Sequence, residues 1–139
     1  LEAFKRRGPM VHELTHLLLD YRTNGNYEAW FTEGLAQWEE YKHVGWEWAE
    51  GETRLRQEPL PLTLLRRDFH HLRDEALVYR QSFRLVEFIS SEVGERGLRQ
   101  IVTLLARGYS TETALTLTLG RSLSQLEQDF RQWLARQPF

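Results

Sequence analysis

The residues of this chain best suited to chemistry fall in two short segments, His12-Glu13-Leu14-Thr15-His16 and Trp30-Phe31-Thr32-Glu33-Gly34. A helix turns each side chain by about 100° from the last, so residues four apart project from nearly one face. His12 and His16 can therefore offer ring nitrogens to a single ion. Glu13 lies on the flank of that face, near the ion but badly placed to ligate it. It suits a base that takes a proton from a metal-activated water. A zinc ion doing hydrolytic work has about three protein ligands and one open position, so the histidine pair needs a third partner. Glu33 is the candidate.

Two elements must bring these groups together. The polar run Arg22-Thr23-Asn24-Gly25-Asn26 reads as a break between helices. Residues 28–42 then return as a second helical stretch, rich in Ala, Glu, Leu and aromatics. If the two helices pack, Glu33 near the start of the second faces His12 and His16. Gly34 removes a side chain where two backbones must come close. Trp30, Phe31, Leu35 and Trp38 predict a half-buried helix, in which a carboxylate needs a charged partner. The competing reading of Glu33 is a solvated helix carboxylate, like Glu39 and Glu40 nearby. Metal-binding histidines are normally oriented by further acceptors, for which Asp20, Gln37 and Glu40 are candidates of equal standing.

HELTH and WFTEGLAQWEEY resemble the two motifs of the gluzincin metallopeptidases, above all the aminopeptidase-N-like and peptidase MA-like groups. The second motif there reads approximately Trp-Leu-Asn-Glu-Gly-Phe-Ala. Trp30, Glu33, Gly34 and Ala36 match it, while Phe31, Thr32 and Leu35 are substitutions. The resemblance implies zinc held by His12, His16 and Glu33, with Glu13 as general base. Sixteen residues separate His16 from Glu33, a slightly shorter interval than in the aminopeptidases.

The resemblance also draws in Tyr79. A tetrahedral intermediate of peptide hydrolysis needs an oxyanion donor besides the metal, and in aminopeptidase-like gluzincins a downstream tyrosine supplies it. Tyr79 and Ser82 match a Tyr-x-x-Ser stretch of peptidase MA-like proteins, although Tyr79 lies closer to Glu33 in sequence than in the aminopeptidases. A core tyrosine with a satisfied hydroxyl is the other reading. The implied reaction is hydrolysis of a peptide or protein substrate: zinc acidifies a water, Glu13 takes its proton and later hands it to the leaving amine. Low pH should suppress it as the histidines protonate. The Gly-x-Met-x-Asn segment that holds a substrate's amino terminus in aminopeptidases is absent here, so exo- and endopeptidase action both stay open. Two other readings compete: a zinc-binding but catalytically inactive domain with a structural or regulatory role, and a helical interaction module whose motif is accidental. The first usually loses its general base, which Glu13 retains.

Composition bounds the rest. A chain of 139 residues with 41% hydrophobic and 27% charged content and a net charge of −2 is an ordinary globular unit with a real core. Lys5-Arg6-Arg7 is the one tight basic run, and without a basic stripe no nucleic-acid partner is expected. The absence of cysteine leaves His and carboxylate as the metal ligands and the compartment open. No segment reaches the roughly twenty apolar residues that span a bilayer. The chain starts at Leu1 and arrives at His12 with no strand before it, whereas the gluzincin zinc helix follows a sheet lobe that aligns the substrate. The expectation is therefore the C-terminal part of a longer protein, binding zinc alone but turning over little peptide. Self-association through the face that would meet the other lobe is also expected.

The fold class is mainly α, a helical zincin-like lobe over 1–139 in three parts. A metal-site helix pair covers 1–43 and an irregular connection with short helices covers 44–74. A C-terminal helical bundle fills 75–139. Within the connection, Val44 to Gln57 holds Trp46 and Trp48 and reads as a short helix over a cleft mouth or a packing loop. Pro59 and Pro61 impose an extended stretch. A helix over 64–73 takes Thr63 as its N-cap, with His70 and His71 as surface residues. The spacing then predicts a helix over 75–93 stopped by Gly94, with Ala76, Tyr79, Phe83, Val86 and Ser90 on one stripe. Further helices follow at 97–107, ended by Gly108, and at 111–119, capped by Ser110 and closed by Gly120. The last helix opens with a Ser122/Gln125 capping box and buries Leu126, Phe130, Trp133 and Leu134.

Overall fold

A computed structural model describes the backbone of residues 2–67 and 74–138. Among these residues every regular element is a helix: α1 (Glu2–Thr23), α2 (Ala29–Val44), α3 (Glu52–Gln57), α4 (Leu62–Arg67), α5 (Glu75–Ala106), α6 (Thr111–Leu119) and α7 (Leu123–Arg136). None is long and apolar enough to cross a membrane. The helix pair of the N-terminal third is α1 and α2. They pack on each other, and α2 in turn packs on α5, the central helix, which also contacts α1, α3, α6 and α7.

The turn between α1 and α2 forms as its composition requires. Asn24 (φ 54°) and Gly25 (φ 75°) both take the left-handed conformation that asparagine and glycine tolerate best. Asn26 ties that turn to the far end of α5: its Nδ2 donates to the carbonyls of Leu105 at 2.8 Å and Tyr109 at 2.9 Å. Two residues on, the Glu28 N–H donates to Thr111 Oγ1 at 3.2 Å. The angle between the helices that carry the two motifs is therefore set partly by the start of α6.

α5 is a single helical run interrupted at Gly94, whose φ of 69° and ψ of −172° break it where the sequence predicts a stop. Before that break α5 is buried nearly all round. Leu77, Val78, Phe83, Leu85, Val86, Phe88 and Ile89 are core, but so are Arg80, Gln81, Ser82 and Arg84. A single apolar stripe does not predict this, because the polar positions are buried through pairing. Arg80 donates to Glu52 Oε1 at 2.5 Å and Glu47 Oε2 at 3.1 Å. Arg84 reaches Glu52 at 3.0 Å and Glu87 at 2.6 Å. Gln81, fully buried, pairs with both backbone groups of Leu60 between the two prolines, at 2.9 and 2.8 Å.

Two cap assignments need correction. α4 starts one residue before Thr63, so Thr63 lies inside the helix. The Leu62 N–H is taken by Glu127 Oε1 of α7 at 3.0 Å, a tertiary contact that local sequence does not reveal. Ser122 accepts from the Gln125 N–H as expected, but Gln125 turns its amide to Asp129 at 2.8 Å instead of back to Ser122, so the box is half formed. Ser110 caps α6, and Gly120 closes it with φ 71°. On α7, Leu126, Phe130 and Leu134 are buried and Trp133 packs half-buried beside Phe88 and Phe130. His70 and His71 lie outside the described residues.

Candidate metal centre

α1 carries His12 and His16 on one face, with their ring centroids 4.7 Å apart. α2 brings Glu33 opposite them. His12 Nε2 lies 3.4 Å from Glu33 Oε2, and His16 Nε2 lies 3.4 Å from Glu33 Oε1. One ligand atom from each of the three residues falls within 4.8 Å of the other two. Ligands held about 2.0–2.1 Å from a tetrahedral ion stand roughly 3.3–3.4 Å apart, the spacing at which each histidine meets its own oxygen of the Glu33 carboxylate. Two imidazole nitrogens and a carboxylate oxygen are also a donor set that zinc favours, and they leave a fourth position open.

The opposite edge of each imidazole is held. His12 Nδ1 bonds Glu40 Oε1, and His16 Nδ1 bonds Thr32 Oγ1 at 2.7 Å. With each Nδ1 donating to its oxygen, loss of the Nε2 proton that faces Glu33 would leave the lone pair and the tautomer that a metal requires. Glu40 is seven residues after Glu33 on α2, nearly the same helix face, and is 3% exposed. Of the three orienting candidates it alone reaches a histidine. Gln37 Nε2 instead donates to the Tyr79 carbonyl at 2.9 Å, and Asp20 accepts from the Tyr27 hydroxyl. Thr32 escaped the sequence reading. Its signal was its place beside Glu33 in the motif, where a hydroxyl stands for the amide of the related pattern.

Charge runs through the cluster. Burial disfavours the ionised form of Glu33, but hydrogen bonds and charge from His12 and His16 outweigh it and hold the carboxyl at about 2. Burial likewise disfavours a charged His12, yet Glu33 and Glu40 together raise it to about 9. Without metal the cluster is thus a proton-bridged set of acids and imidazoles, and any cation entering it must displace a proton from His12.

Gly34 sets how near α2 lies to α5. A Cβ there would run into the carbonyl of Ser82 and come within 2.7 Å of Val86 Cγ2. The closeness expected of this glycine is real, and its partner is α5. The same crossing puts Tyr79 beside the cluster: it lines a cavity with His12, and its phenol is pushed up by burial first, then by the charges of Glu33 and Glu75. Glu13 is exposed and borders a hollow shared with His12, Glu40 and Trp48.

The model of the Peptidase MA superfamily matches residues 3–136. The chain belongs to that superfamily. No curated protein and no solved structure gives a match. Membership in the Peptidase MA superfamily agrees with the mainly α architecture of the described residues. The irregular segment before α3 places Trp48 at the cavity beside His12.

Proposed function

We propose that this chain is a zinc-dependent peptidase of the gluzincin type, with His12, His16 and Glu33 as ligands and Glu13 as general base. One observation supports this most: both Nε2 atoms stand 3.4 Å from Glu33 while each Nδ1 is bonded on its far side. When bound, zinc supplies Lewis acidity that polarises a carbonyl and lets a water give up its proton near neutral pH. Glu13, free of the ligand cluster and open to solvent, accepts that proton as the water attacks the scissile carbonyl, and returns it to the leaving amine. The Tyr79 hydroxyl donates to the oxyanion of the tetrahedral intermediate. Glu40 and Thr32 keep the imidazoles in their tautomer, and Gln37 holds the Tyr79 backbone in place.

Elemental analysis of protein purified without added metal, together with turnover of unstructured peptides, tests the assignment. One zinc per chain is expected, with hydrolysis that is weak in this segment alone. Glu13→Gln should keep the metal and lose about a thousandfold or more in turnover. Loss of zinc from that variant would show that Glu13 is a ligand and not the base.

A further inference from the structure

A cavity of about 300 Å³ adjoins the cluster, lined by His12, Tyr79, Trp48, Glu50, Glu75 and Arg80. Arg80 brings it no spare positive charge. Its guanidinium is buried and held by Glu52, Glu47 and, at 3.2 Å, the Trp48 carbonyl. The surrounding network is balanced, with Arg56, Arg80 and Arg84 set against Glu47, Glu52 and Glu87. Glu50 and Glu75 stand outside it. Both are exposed, and neither has an ion-pair partner among the described residues. Trp48, 47% exposed, adds an aromatic surface of the kind that attracts cations.

We infer that this cavity is a specificity pocket that takes a cationic side chain, lysine or arginine, beside the bond offered to the His12–His16–Glu33 cluster. That the side chain belongs to a substrate rests on the peptidase reading, but the binding preference is measurable without turnover. Two uncompensated carboxylates and an indole favour an ammonium or guanidinium, leave a leucine side chain indifferent, and repel a carboxylate.

The test uses three unstructured peptides that differ at one position, Lys, Leu or Glu. Their binding to the zinc-loaded protein and to a Glu50→Gln/Glu75→Gln double variant is followed by fluorescence anisotropy. The Lys peptide should bind about tenfold more tightly than the Leu peptide, and the Glu peptide most weakly. The double variant should erase that gap and leave the Leu peptide unchanged, and high salt should shrink it. Equal binding of the three peptides, binding of none, or a preference that survives in the double variant overturns the proposal. Hydrolysis of the same peptides is scored separately. A Lys preference without cleavage keeps the pocket and removes the peptidase reading, whereas cleavage indifferent to charge does the reverse.

Discussion

Glu33 and Glu52 are both partly buried acids held at about 2, yet they belong to unlike clusters. In each case burial works against the charge and is outweighed by cationic partners. The partners of Glu52 are the guanidiniums of Arg84, Arg80 and Arg56, which keep their protons at any ordinary pH. Those of Glu33 are imidazoles, whose Nε2 protons can be exchanged for a metal. The Glu52 cluster is closed, with its charges matched inside the protein. The Glu33 cluster is closed only by protons, and it borders a cavity through His12. Similar electrostatic depression can thus mark a brace or a binding site, and what separates them is whether the partners titrate.

The sharpest way to break this contrast is to delete one member of each cluster and count metal. His16→Ala should take zinc from one ion per chain to none, while Glu52→Gln should leave it unchanged. Retained zinc in His16→Ala, measured by elemental analysis, would remove the assignment. Stability should show the reverse pattern. Glu52→Gln leaves Arg80, 3% exposed, without its nearest carboxylate, so urea unfolding should report a loss of about 3 kcal/mol. Glu33→Gln in metal-free protein should cost much less, because His12 can shed its proton.

The pH dependence of metal-free stability sharpens the distinction. Both glutamates have lowered values, so their contribution is present above about 4.5 and is lost as pH falls towards about 2. His12 is raised, so its contribution is complete below 6.5 and is lost as pH rises through about 9. The Glu33 cluster therefore stabilises between two edges and the Glu52 cluster has only the acid one. Thermal melts of wild type and Glu40→Gln across pH 6 to 10 should differ less at the alkaline end, and added zinc should remove the alkaline edge. The smallest effect is expected at Thr32→Val, which keeps the shape but removes the hydroxyl on His16. Zinc affinity by competition with a chelator should fall about tenfold. No change would mean that packing alone orients that ring.

Much of this was legible in the sequence because it is local. Helical spacing placed His12 with His16, Asn24-Gly25 marked the turn, and the serine and glycine punctuation located α6 and the break at Gly94. The proximity of Glu33 to the histidines could be anticipated through the paired motifs. Glu40 could be nominated but not chosen over Gln37 or Asp20, since the choice depends on the crossing of α1 and α2. The Glu52 cluster was invisible: its members come from three separate segments, and nothing local marks Arg80 and Arg84 as buried before α3 is packed on α5. Thr63 was misjudged as a cap for the same reason, because Glu127, 65 residues from Leu62, holds that helix start.

Asn26 has a consequence for the order of events in the cell. All three candidate ligands lie within the first 33 residues of the described chain, but the turn between their helices is fastened to Leu105, Tyr109 and Thr111. On a ribosome the fastening arrives some eighty residues after the turn it holds, about 4–16 s later at roughly 5–20 residues per second. During that interval the donors exist without their geometry. The site should then acquire its ion after synthesis, as a selection made by a finished fold and not by a nascent helix.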